Sequence, residues 1–186
     1  MEKLTRKITE EVDEHTAFEA LEASQQQGKT ICNLAEADKH VMENGGALWC
    51  LPIIAYPKPK EKLGAVVWFR GLSLQVPKKF QSLVDGSCLQ IDGGFTYDAK
   101  TKTIKIEDEK QVRVEPFPKE TEWYGTDKHG FPNQPKTGEK SDRRLWRRTD
   151  EAYVGLPVRL GNNLSDWRDV NACCDPGNVR FGVLVK

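Results

Sequence analysis

The strongest constraint on the fold is the stretch CLQIDGGFTYDAKTKTIKIEDEKQVRVEPF, residues 88–117, in which apolar and polar residues alternate. A period of two puts every second side chain on one face of an extended chain. Leu89, Ile91, Phe95 and Tyr97 therefore predict strand, AKTK predicts a turn, and Ile104, Ile106, Val112 and Val114 continue a meander. Upstream, ALWCLPIIAY and LGAVVWFRGLSLQV are rich in β-branched and aromatic residues and flank the turn-forming PKPKEKLG. Pro52 marks an edge strand or a bulge in the first of these. Pro77 opens a short helix, KKFQSLVDG, that stops at Gly86.

The first 46 residues read as helical instead. Leu4, Ile8 and Val12 fall at a spacing of four, one face of a helix. Thr16 with Glu19 forms a capping-box signature for a helix reaching Gln27, and Gly28 suits the left-handed residue that ends it. The pattern recurs at an offset of 17, with Asn33 and Glu36 as the cap, Leu34, Ala37, Val41 and Met42 as the apolar face, and Gly45-Gly46 as the stop. A short apolar segment follows each helix, Thr30 to Cys32 and then Ala47 to Cys50. Two such units are too few for a solenoid. The fold class expected is α+β, an N-terminal helical pair packed on a mainly antiparallel β-sheet. We expect one domain over 1–186: a helical part (1–46), a β-rich part (47–116), a long irregular loop (117–142), and an arginine-rich segment with closing strands (143–186).

Lys plus Arg and Asp plus Glu both number 28, so overall charge supplies no attraction to phosphate or to a membrane surface. Nucleic acid is thus not the favoured partner, and a membrane is not expected. The five cysteines (Cys32, Cys50, Cys88, Cys173 and Cys174) form no CxxC and no even, spaced set, unlike a secreted disulfide framework. The charged opening MEKLTRKITEEVDEH has no apolar signal-peptide core, and the longest apolar run, AVVWF, falls far short of the ~20 residues that span a bilayer. The expectation is a soluble protein of a reducing, cytoplasmic compartment.

Catalytic signatures are sparse. The chain has no Walker-type loop, no GxGxxG and no GxSxG. His15 and His40 fall on polar helical surfaces. His129 sits in the long loop, in WYGTDKHGFPNQP, beside Asp127 and Lys128, and is the candidate acid/base if the protein is an enzyme. No two His or Cys residues have zinc spacing. Asp92, Asp98, Glu107, Asp108 and Glu109 admit a hard-cation cluster, but the consecutive acids at a strand end fit better as charges that protect a sheet edge. No metal or cofactor is expected.

The sharpest charge feature is SDRRLWRRTD, residues 141–150. Arg143, Arg144, Arg147 and Arg148 surround Leu145 and Trp146. In a helix Arg143 would share a face with Arg147, and Arg144 with Arg148, with Ser141 or Asp142 as the cap. Arginine forks bind phosphate bidentately, and Trp123 or Trp146 could stack on a base. The alternative is that Leu145 and Trp146 are buried and the arginines pair with surface carboxylates. A second anchor is Trp68-Phe69-Arg70-Gly71, followed by Glu107 and Glu109. It lacks the Ser-Thr-Ser element of ADP-ribosyltransferases, with Phe95-Thr96-Tyr97 in its place.

TAFEALEASQQQGKTI resembles the opening of small phage-encoded proteins, where a helix of the form x-F-x-E-A-L ends in Gly-Lys and runs into a strand. Among them is the family that blocks Thoeris immunity by sequestering its nucleotide signal. The matching residues are Phe18, Glu19, Ala20, Leu21, Gly28, Lys29 and Ile31, with Glu36, Ala37, Gly45 and Trp49 in the second copy. The resemblance implies a phage accessory or anti-defence factor. The leading expectation is a non-enzymatic binding protein for a small phosphorylated ligand or a host protein, using Arg143, Arg144, Arg147, Arg148, Trp123 and Trp146. The alternatives are an enzyme on a nucleotide or nucleic acid with His129 as acid/base, and a structural subunit of a virion or larger complex.

Overall fold

The computed structural model describes residues 10–12, 22, 26–28, 30–45, 47–116, 122–126, 132–135, 143–145, 150–156, 158–160, 165–168 and 180–184. In chain order its elements begin with β1 (Glu10–Val12), β2 (Thr30–Ile31), α1 (Leu34–Asn44), β3 (Ala47–Trp49) and β4 (Ile53–Tyr56). There follow β5 (Val66–Phe69), β6 (Leu72–Gln75), β7 (Ser87–Ile91), β8 (Phe95–Asp98), β9 (Thr103–Ile106) and β10 (Val112–Pro116). The last are β11 (Glu122–Thr126), β12 (Pro132–Pro135), β13 (Arg143–Leu145), β14 (Tyr153–Gly155), β15 (Val158–Leu160), β16 (Ser165–Arg168) and β17 (Arg180–Leu184).

The result is a sheet-dominated α+β fold, with three sheets among the described residues. One runs β1-β17-β3-β15-β16-β13-β11-β12, with β2 also on β17; the second runs β10-β7-β4-β14; the third runs β5-β6-β9-β8. Antiparallel pairing dominates, while β6 with β9, β3 with β17, and β13 with β16 are parallel.

Helix α1 forms where its caps predict. Asn33 Oδ1 accepts from Glu36 N at 2.9 Å, and Asn33 N donates to Glu36 Oε2 at 2.8 Å. Such a cap is worth ~1 kcal/mol. Gly45 ends the helix at φ 74°. Leu34, Ala37 and Val41 are buried, as the helical period requires; the side chain of Met42 lies outside the described residues. The first helix is a different matter. Glu22 and Gln26 are helical, joined side chain to side chain at 3.4 Å, and Gly28 has φ 67°. Thr16 and Glu19 lie outside the described residues. Val12, expected on a helical face with Leu4 and Ile8, instead stands in β1 opposite Phe181. Its strand conformation is set by that distant partner rather than by local spacing.

Pro52 separates two strands rather than bulging one. β3 belongs to the first sheet and β4 to the second, and the cis Leu51-Pro52 bond lies between them. The meander expectation is corrected as well. β7 and β10 pair with each other, whereas β8 and β9 form a hairpin in the third sheet. The chain changes sheets at Asp92-Gly93-Gly94, where Gly94 takes φ 61°. Its carbonyl accepts from both Glu107 N and Asp108 N at 2.8 Å. The segment after Pro77 makes a single 3-10 turn, Lys78–Phe80, not a longer helix. The expected irregular loop over 117–142 contains the β11–β12 hairpin.

Two sheets meet through aromatics. Tyr153 on β14 stacks on Tyr56 with centroids 5.1 Å apart and meets Phe69 of β5 at 4.8 Å. Around this contact the core continues through Val67, Leu72, Leu74, Leu89, Ile91 and Ile104. Cys32, Cys50 and Cys88 are buried. Among the described residues no helix is long and apolar enough to cross a membrane.

Candidate functional site

The segment 143–145 is a strand, so the helical shared face expected for its arginines does not apply there. The reason is long-range pairing. β13 is held on one side by β11, antiparallel, and on the other by β16, parallel. This register separates the two described arginines. Arg143 lies directly across from Trp123 on one side and Ser165 on the other. Arg144 lies between Glu122 and Asp166. On the antiparallel β11–β13 side, opposed positions are about 4.5–5.5 Å apart at Cβ. Arg144 therefore stands at a register position between two carboxylate residues. Arg143 is placed in line with an aromatic and a hydroxyl residue.

Trp123 and Arg143 are thus brought together, although 19 residues lie between them in the chain. Trp146, Arg147, Arg148 and His129 lie outside the described residues. Sequence reasoning missed Trp167, which stands opposite Leu145 on one side and Arg159 on the other. No local signal marks it, because both partners come from other strands.

The five carboxylates considered for a cation each have a local task. Asp92 accepts a two-pronged fork from Arg113, Nε to Oδ2 at 2.7 Å and Nη2 to Oδ1 at 3.0 Å, and Arg113 also reaches Glu115 at 3.2 Å. Asp108 Oδ1 accepts from Lys110 N at 3.0 Å and caps the 3-10 turn there. Glu109 pairs with Lys79 at 2.8 Å, and Glu107 with Lys105 at 3.0 Å. The bond from Lys105 holds the Glu107 carboxyl below its ordinary value. Among the described residues no group of three or more metal-ligating side chains forms. His40 is half-buried on α1, its ring 3.4 Å from the Asn44 amide within the same helix.

Asp98 closes the β8–β9 turn by accepting from Lys100 N at 2.9 Å and Thr101 N at 3.3 Å. The first of these bonds, then those to Thr101, hold its pKa below the ordinary 3.8. The folded chain therefore binds this proton more weakly than the unfolded chain. The stabilisation is complete above the ordinary value and is lost as pH falls through the lowered one. Amide exchange at Lys100 and Thr101, corrected for intrinsic rate, should stay flat across neutral pH and rise only in the acid range. A rise beginning at neutral pH would contradict the assignment.

No family model, no curated protein and no solved structure matches this chain.

Proposed function

We propose that this protein is a non-enzymatic binding protein that holds a small phosphorylated ligand at the β11–β13 strands. The observation that carries this reading is the register that sets Arg143 opposite Trp123. A guanidinium supplies a bidentate donor for phosphate, and an indole supplies a stacking face for a base. Arg144, placed between Glu122 and Asp166, takes the supporting role, holding the strands in register. Sequestering a nucleotide signal, the activity of the anti-defence family that the N-terminal segment resembles, requires only such a site and no catalytic group.

Calorimetric titration with a panel of nucleoside mono-, di- and triphosphates and cyclic dinucleotides tests it. We expect at least one of them to bind, and Arg143→Ala or Trp123→Ala to abolish the heat of binding without lowering Tm. Retained affinity in both variants would reject these residues as the site. Substrate turnover at substoichiometric protein would reject the non-enzymatic reading in favour of catalysis.

A further inference from the structure

The third sheet carries a surface that the β11–β13 reading does not use. Its buried face is apolar, with Val67, Phe69, Leu72, Leu74 and Ile104 in the core. On the opposite face Trp68 is 66% exposed and Val66 40% exposed. Trp68 lies directly across from Ser73, which is itself buried at 2% exposed, and Ser73 across from Thr103. The two hydroxyls share a hydrogen bond at 3.0 Å. The row beside it runs from Val66 through Gln75 to Lys105. Beyond Trp68 and Val66 this face is therefore polar, unlike the apolar centre that a protein–protein interface presents.

The topology collects cations at the Trp68 end. β5 and β6 are joined by Arg70-Gly71, a two-residue turn with φ 46° and 84°. Because β9 runs parallel to β6, the Ala99–Lys102 turn lies at that same end. The two turns are tied together, since Ser73 N donates to the Lys102 carbonyl at 2.9 Å. Arg70, Lys100 and Lys102 are exposed at that end, with the Arg70 guanidinium 5.6 Å from the centroid of the Phe69 ring, against the carboxylate of Asp98. Lys105 and Glu107 offset each other further along. The chain is neutral as a whole, yet this corner is positive beside a solvent-facing indole.

We propose that this face is a platform for single-stranded nucleic acid, with a base stacked on Trp68 and the adjoining phosphates drawn to Arg70, Lys100 and Lys102. A base offers its flat face only when unpaired, and an open sheet surface admits it without a pocket. The polar remainder of the face favours this occupant over an acidic polypeptide, which would need apolar contacts to be held.

The test is fluorescence anisotropy of labelled oligothymidylate and oligouridylate with the full chain. Binding should weaken roughly tenfold or more between about 50 and about 200 mM salt, since each neutralised phosphate of a single strand contributes a slope of about −0.7. Trp68→Ala should weaken it on the order of tenfold, and Trp68→Phe should recover much of that loss. Lys100→Gln with Lys102→Gln should flatten the salt dependence. Each variant should melt like the parent, because the replaced side chains are exposed. Arg143→Ala should leave oligonucleotide binding intact, so this proposal and the β11–β13 reading can fail separately. Absence of binding at low salt, equal binding by Trp68→Ala, or equally effective displacement by polyglutamate would each overturn it, the last by assigning the face to an acidic polypeptide.

Discussion

Tyr153→Ala is expected to destabilise the protein by about 3–5 kcal/mol, a fall in Tm on the order of 10 °C for a chain of this size. The ring is 1% exposed and joins two sheets, stacked on Tyr56 in its own sheet and tilted against Phe69 in the next. Truncation removes both aromatic contacts and leaves a cavity that β-sheet backbone, fixed by its ladder, cannot collapse to fill. Gly155 shows how closely the ring is fitted. A Cβ added there would strike the Tyr153 hydroxyl and lie 2.8 Å from Cζ. Strand β14 therefore combines a large side chain with a vacant position two residues on, and the ring occupies the space the glycine leaves. Chemical denaturation of the variant checks this; a loss below about 1 kcal/mol would mean that the ring is not part of the packed core.

Gly94→Ala is the second large effect, at about 2–5 kcal/mol. Two causes add. Gly94 has φ 61°, a left-handed conformation that costs an L-residue about 1–2 kcal/mol. A Cβ would also meet Asp108 Cβ at 2.7 Å and the Asp108 carbonyl at 3.2 Å. Backbone cannot move aside cheaply, because Gly94 O holds both Glu107 N and Asp108 N. Gly64→Ala is the control. It has φ 76° but no atom within 4 Å of the added carbon, so it should show the conformational cost alone. Equal effects of the two substitutions in thermal melts would show that the Asp108 contact is relieved without cost.

What could be read from the sequence was what is local. The Asn33–Glu36 cap, the Gly45 stop and the AKTK turn depend on residues a few positions apart, and each stands where it was expected. Strand character from Leu89 to Val114 was legible for the same reason, through its alternation. Sheet membership was not, because only pairing decides it. Nothing near Val12 announces Phe181, and nothing near Pro52 shows that β3 and β4 part into different sheets. Arg143 illustrates the cost of this most directly. Its spacing to Arg147 fits a helix, yet pairing with β11 and β16 makes it a strand residue. The same pairing sets Trp123 across from it, a juxtaposition that no local spacing shows. The Arg113–Asp92 fork was invisible for a like reason, since it joins residues 21 apart, Asp92 just past the end of β7 and Arg113 on β10.

Whether the β11–β13 strands hold a phosphorylated small molecule is decided by what the purified protein carries. Native mass spectrometry of the protein, purified gently from cells in which nucleotide signalling is active, tests it most directly. An adduct of nucleotide mass is expected on the parent chain and is expected to be missing from Arg143→Ala. A bare chain in both preparations, or an adduct that survives Arg143→Ala and Trp123→Ala alike, would contradict it.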